Sequence, residues 1–123
     1  MAVVLCTGGD PALLETTQLI LEQAGHSTIR AVNRLAVFSA CRRVIFDVAV
    51  IGQFLSPLKK RSMASLIHQY CPSARILELY PANQSKAIEE ADSWLAVPAD
   101  LPQELVEQVR ELAKRKRRNQ MSA

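Results

Sequence analysis

The loop of Thr7, Gly8, Gly9 and Asp10 is the first place where residue types suggest chemistry. It follows the apolar run Val3–Cys6 and precedes a proline that suits the first turn of a helix. Backbone N–H groups of such a loop can bind a phosphate. The loop lacks the complete glycine pattern of dinucleotide or P-loop sites. A tight turn is therefore the expected role, and a nucleotide, flavin or phosphate site is the alternative.

The histidines and cysteines lack the spacing that catalytic or metal sites need. His26 and His68 are far apart, and we expect His26 in an exposed loop after the first helix. Cys6, Cys41 and Cys71 are widely and irregularly spaced, which argues against a disulfide framework or a zinc site. We expect reduced cysteines in a cytoplasmic protein. We also expect no enzyme activity, no cofactor and no bound metal.

Five strand patterns alternate with five helix patterns, and these elements must position the residues named above. Short apolar runs predict strands at residues 3–6, 28–32, 45–51, 75–80 and 94–97. Helical periodicity follows each strand, with Asn83–Ala91 predicted as a short, polar fourth helix and Asp100 as the cap of the last helix. The alternation predicts an α/β fold, a three-layer α/β/α sandwich with a parallel sheet. The flavodoxin-like strand order 2-1-3-4-5 is favoured for five strands.

Charge is distributed unevenly along the chain of 123 residues. Five of the 15 basic residues form the run Lys114–Arg118, whereas 12 residues are acidic, so the rest of the chain is mildly acidic. We expect one domain over residues 1–113 and a basic tail over 114–123. The tail is the one feature that favours nucleic acid, and it has no interleaved aromatic residue for base stacking. We therefore expect no nucleic acid partner. No apolar run reaches the length of a membrane span, so we expect no membrane partner either.

The chain resembles the receiver domain of two-component response regulators from about Val3 to Lys114, and three stretches carry this resemblance. Asp10 to Gly25 resembles the first loop and helix of that family, and Asp47 to Ile51 resembles its third strand. Ala91 to Leu105 is similar to its fifth strand, its Lys-Pro step and its last helix. The resemblance implies the flavodoxin-like fold of the chemotaxis-type response regulators and a role in signalling.

The resemblance also places the phosphorylation site of the family on residues of the wrong type. A receiver uses an acidic pair to hold Mg²⁺, an aspartate to accept the phosphoryl group, a hydroxyl residue and a lysine. The acidic pair falls on Gly8 and Gly9, the acceptor on Gly52, the hydroxyl residue on Tyr80 and the lysine on Val97. The expected function is therefore phosphorylation-independent signalling through protein binding. The small-ligand domain that uses the first loop remains the alternative.

A partner protein would bind the face formed by the predicted fourth helix, the fifth strand and the last helix. A second copy of the chain is a further candidate, because receivers often pair through this face. The candidate residues of this face are Lys86, Glu89, Glu90, Trp94 and Arg110.

Overall fold

Five parallel strands form the sheet in the computed structural model, which describes residues 2–97 and 102–122 and no side chain beyond Lys114. The strands are β1 (Val3–Thr7), β2 (Ser27–Ala31), β3 (Val48–Ile51), β4 (Arg75–Pro81) and β5 (Ser93–Val97). They lie in the order β2-β1-β3-β4-β5, and every neighbouring pair is parallel. The strand order predicted from the sequence is confirmed.

Four helices cover the sheet within the described residues. They are α1 (Pro11–Gln23), α2 (Arg34–Arg43), α3 (Pro57–Tyr70) and α4 (Gln103–Ser122). Asp10, Asn33 and Ser56 each accept a backbone N–H of the first turn, as N-cap residues do. The cap predicted at Asp100 lies outside the described residues. None of the described helices is both long enough and apolar enough to span a bilayer.

The sheet separates two apolar cores, because successive strand residues point to opposite faces. In β4, Ile76 packs on the α2 and α3 side, whereas Leu77 packs on the α1 and α4 side. All four residues of β3 are buried, as a central parallel strand requires. Each fully buried Leu or Ile contributes about 1.5–3 kcal/mol relative to an exposed one, so both helical layers are held mainly by these faces.

The fourth helix predicted at Asn83–Ala91 is wrong, because this segment is not helical. The Glu78 side chain accepts the backbone N–H groups of Ala87 and Ile88, which are therefore not available to a helical hydrogen-bond ladder. The Ile88 carbonyl accepts the indole N–H of Trp94. Side chains from the sheet thus take the backbone groups that a helix would have paired internally.

The prediction of three reduced cysteines is also wrong. Cys41 on α2 and Cys71 at the end of α3 form a disulfide, with 5.4 Å between their Cα atoms. The two helices are neighbours on one face, so cysteines 30 residues apart in the sequence converge. Cys6 is free, and its burial raises the pKa of the thiol to about 12, with a smaller contribution from Glu22. The disulfide removes the cysteine-based reason for expecting a cytoplasmic location.

Candidate functional site

Three of the five residues that the resemblance aligns with a phosphorylation site meet at the carboxyl edge of the sheet. Strands β1 and β3 are neighbours, and Thr7 pairs with Ile51 at their ends. The N–H of Gly52 then donates to the Thr7 carbonyl at 2.7 Å, which extends the ladder by one residue. Gly8 and Gly9 therefore lie directly against the loop that follows β3.

The two loops approach each other so closely that backbone contacts backbone. A Cβ atom added to Gly8 would lie 3.3 Å from the Gly52 Cα, and one added to Gly9 would lie 3.2 Å from the Phe54 carbonyl oxygen. The hollow between the loops has a cavity volume of only about 10 Å³. That volume is close to the minimum for one water molecule, so a phosphate group does not fit between the loops as they stand.

The other two positions lie at the ends of the next strands. Tyr80 pairs with Ala96, and the following pair joins Pro81 to Val97, whose side chain is buried. Val97 borders an open, mostly apolar groove of about 610 Å³ beside the glycine loops. The other residues lining this groove are Leu13, Gln53, Phe54, Pro81, Ala82 and Asn83. This lining contains no charged residue.

The carboxylates nearest to the predicted site in sequence have structural roles. Asp10 caps α1 by accepting from the Ala12 N–H at 3.0 Å. Asp47 lies at the opposite, amino-terminal end of β3, where it accepts the Val3 N–H at 2.8 Å. Across the residues that the structure describes, no three His, Cys, Asp or Glu side chains come together as metal ligands would.

A buried ion pair lies a short distance below this edge, between α3 and β4. Lys60 Nζ is 2.9 Å from Glu78 Oε2, and it also donates to the Leu79 carbonyl at 2.8 Å. The two side chains are 3% and 0% exposed. Removing two charges from water is costly, so such a pair persists only where its remaining polar atoms are also satisfied.

Residues 82–92, the segment that lies where a fourth helix was predicted, supply hydrogen-bond donors to the Glu78 carboxylate. The carboxylate accepts from Ala87 N at 2.9–3.1 Å and from Ile88 N at 2.8 Å. Trp94 Nε1 donates to the Ile88 carbonyl at 2.9 Å, and the Lys86 ammonium lies 4.6 Å from the Trp94 ring centroid. The 82–92 segment is therefore fixed by contacts to β4 and β5.

The structure divides the predicted partner face. Lys86 contacts Trp94, and the exposed Glu89 and Glu90 belong to the same segment. Arg110 lies on α4, which covers the opposite face of the sheet, where it borders a hollow that includes His26. The 82–92 segment with Trp94 thus forms one continuous surface, and Arg110 is separate from it.

Three buried polar residues have roles that sequence reasoning missed. His26, expected in an exposed loop, is only 9% exposed, and its Nδ1 accepts the Ala2 N–H at 3.0 Å. Burial lowers the pKa of His26, and positive charge nearby, including that of Arg110, acts in the same direction. Glu78 interrupts the otherwise apolar run from Ile76 to Leu79, which is a signal for a buried role. Nothing local in the sequence identifies Lys60 as its partner.

Comparison with solved structures identifies the same fold in receiver domains. A CheY-like receiver domain from Methanospirillum hungatei matches with a TM-score of 0.80 and 18% identity, over 97% of this chain and 98% of that one. The receiver domain of Francisella response regulator 1452 matches with a TM-score of 0.77 and 20% identity, over 94% and 98%. TrrA from Thermotoga maritima, in complex with Mg²⁺ and BeF, matches with a TM-score of 0.75 and 18% identity, over 91% and 99%.

Sequence comparison gives no match of this kind. No family model and no curated protein matches the chain. The similarity to receiver domains is therefore a similarity of fold.

Proposed function

We propose that this protein is a receiver-like signalling domain that acts by binding another protein and does not receive a phosphoryl group. The receiver fold supports the signalling role, since such folds carry signals between proteins in two-component systems. The residues at the carboxyl edge of the sheet support the loss of phosphorylation. The one observation on which the proposal rests most heavily is the contact between the Gly8–Gly9 loop and Gly52.

Phosphoryl transfer needs side-chain oxygens at this edge. Mg²⁺ is held by oxygen ligands, and the transferred group needs positive charge on its oxygens. TrrA was solved with Mg²⁺ and BeF. In this chain, Gly8, Gly9 and Gly52 offer no side-chain oxygen, and Val97 offers no charge. The cavity of about 10 Å³ between the glycine loops also argues against the alternative of a small ligand there.

The fixed conformation of the 82–92 segment supports a role in protein binding that does not depend on a covalent signal. In a phosphorylated receiver, the added charge biases a two-state equilibrium. Here the buried Lys60–Glu78 pair holds the segment through the N–H groups of Ala87 and Ile88. Only a partner with different affinities for two states can shift a protein that lacks the covalent signal. We therefore propose the 82–92 segment and Trp94 as the surface that the partner contacts.

Phosphoryl-donor treatment tests the first half of the proposal. The purified protein is incubated with acetyl phosphate and Mg²⁺, and its intact mass is measured. A receiver domain that carries the acidic pair and the acceptor aspartate serves as the positive control under the same conditions. The expected result is an unchanged mass for this chain and a phosphoryl adduct on the control. A Mg²⁺-dependent adduct on a carboxylate of this chain contradicts the proposal.

Variants that reverse the charge of Lys86 or remove the ring of Trp94 test the proposed partner surface. Tagged protein is used to capture partners from the native cell, and the captured proteins are quantified for wild type, Lys86→Glu and Trp94→Ala. Arg110→Glu is the matched control, because it changes a cation on the opposite face of the sheet. We expect the first two variants to lose a specific partner that the control retains. Sedimentation across a concentration series shows whether that partner is a second copy of the chain.

A further inference from the structure

A second hollow lies at the opposite end of the sheet, away from the glycine loops. It is formed where β1 and β2 begin, where α1 ends and where α4 passes, and its volume is about 460 Å³. Its lining residues are Ala2, Ala24, Gly25, His26, Arg110, Ala113 and Lys114. The hollow therefore combines a buried histidine with two long cationic side chains, and it contributes nothing to the proposed partner surface.

The hydrogen bonding of His26 fixes which ring nitrogen carries the proton. Ala2 donates its N–H to Nδ1 at 3.0 Å, so Nδ1 acts as an acceptor and the neutral ring carries its hydrogen on Nε2. Nε2 is buried and has no hydrogen-bond partner within residues 2–97 and 102–114, whose side chains are described. A buried donor without an acceptor is destabilising by about 1–3 kcal/mol, so it is uncommon unless it serves a function.

Both cations of the hollow are free of carboxylates in the described part of the chain. Neither Arg110 nor Lys114 has an Asp or Glu oxygen within 4.0 Å among those residues. The Arg110 charge nevertheless reaches His26, because it contributes to lowering the pKa of that ring after the larger effect of burial. The hollow thus places two cationic side chains, neither of them in an ion pair among the described residues, beside a histidine whose buried Nε2–H lacks an acceptor there.

The end of α1 does not take up these donors. The Leu21 carbonyl accepts from the backbone N–H groups of Ala24 and His26, and the Glu22 carbonyl accepts from Gly25. Gly25 adopts a φ of 94°, which closes the helix in the left-handed conformation that glycine favours. Backbone groups satisfy these carbonyls, and among the described residues neither Arg110 nor Lys114 donates to the end of α1.

We infer that this hollow binds the phosphate group of a small anionic ligand. Guanidinium and ammonium groups form short, charge-assisted hydrogen bonds to phosphate oxygens, and the His26 Nε2–H adds a neutral donor. A phosphate oxygen would supply the acceptor that Nε2 lacks. The site is independent of the proposed partner surface, because it lies on the other face of the sheet.

Titration with inorganic phosphate tests the inference on the full chain. The His26 ring is followed by NMR while phosphate is added at constant ionic strength, with chloride as the reference anion. The expected result is a saturable shift of the His26 ring signals with phosphate and none with chloride. Arg110→Gln is exposed enough to leave the fold intact, and it should weaken phosphate binding roughly tenfold or more, the effect of one charge-assisted hydrogen bond.

Lys86→Gln is the matched control, since it removes a cation from the opposite face and should leave phosphate affinity unchanged. His26→Gln should also weaken binding, which is followed through the backbone amide signals of Ala2 and Gly25 because the ring is absent, and thermal unfolding of that variant shows separately whether it folds. Comparing inorganic phosphate with glycerol phosphate distinguishes the free anion from a phosphate ester as the preferred ligand. The inference is overturned if phosphate gives no saturable shift. It is equally overturned if Arg110→Gln and Lys86→Gln have the same affinity as wild type.

Discussion

Replacing Lys60 by Met is the perturbation that tests most directly how the 82–92 segment is held. Methionine keeps the unbranched side chain but removes the ammonium group that lies 2.9 Å from Glu78 Oε2 and 2.8 Å from the Leu79 carbonyl. The Glu78 carboxylate then stays fully buried, with only the N–H groups of Ala87 and Ile88 to balance its charge. The Leu79 carbonyl also loses a donor.

The expected loss of stability is large for a protein of this size. Removing one partner of a buried ion pair typically lowers the free energy of unfolding by about 3–5 kcal/mol, because the remaining charge is left without compensation. The free energy of unfolding of a domain is about 5–15 kcal/mol, so Lys60→Met should remove a substantial part of it. Lys59 is exposed on the same helix, and Lys59→Met should change stability by no more than about 0.5 kcal/mol.

Urea unfolding followed by the fluorescence of Trp94, the single tryptophan, measures these differences. Hydrogen exchange at the Ala87 and Ile88 amides gives a local readout, and we expect their protection to fall in Lys60→Met. The double variant Lys60→Met with Glu78→Gln should lose less than the sum of the two single variants, because each single variant leaves an unpaired buried charge and the double variant leaves none. Equal stability of Lys60→Met and Lys59→Met would refute the reasoning, and so would strict additivity in the double variant.

Three further predictions concern the glycine loops, the disulfide and the buried histidine. Gly8→Ala places a Cβ 3.3 Å from the Gly52 backbone and should lower the free energy of unfolding, measured in urea, by about 1–3 kcal/mol. Gly52→Ala has its nearest contact at 3.4 Å, so it should lower the free energy of unfolding by a smaller amount. Reducing the Cys41–Cys71 disulfide, which spans 30 residues, should lower stability by about 3–4 kcal/mol, measured as the fall in Tm on adding dithiothreitol to wild type but not to a Cys41→Ser/Cys71→Ser variant. Burial lowers the pKa of His26 below its ordinary 6.5, so the unfolded chain takes up a proton at this histidine before the folded chain does as the pH falls. The contribution of His26 to stability is therefore complete above pH 6.5 and is lost as the pH falls through the folded-state pKa. His26→Gln should remove that part of the pH dependence of stability in phosphate-free buffer.

The strands and the starts of the first helices could be predicted because their signals are local. Val48–Ile51 is apolar throughout, as a strand buried on both faces requires, and Asp10 and Ser56 precede helices as capping residues. The division into a domain of residues 1–113 and a tail of 114–123 stays a prediction. The positions of Gly8, Gly9 and Gly52 at one edge also followed from the topology, since the carboxyl ends of neighbouring parallel strands meet there.

The predicted helix at Asn83–Ala91 failed because its local preference was weaker than a long-range interaction. A carboxylate from β4 captured two N–H groups of the segment, and it could do so only because Lys60 from α3 balanced its charge. Glu78 alone was visible in the sequence as a charged residue in an apolar strand. Its partner could not be inferred, since 18 residues separate the two and other lysines are equally close in the sequence.

By itself, the sequence determined the α/β class, the parallel sheet and the absence of side-chain oxygens and charge at Gly8, Gly9, Gly52 and Val97. These properties depend on residue identity and on periodicity within single elements. Only the tertiary structure decided that Cys41 meets Cys71, that His26 is buried beside Arg110 and that the glycine loops close on each other. Each of these depends on which distant residues become neighbours, and packing of the helices on the sheet sets those distances.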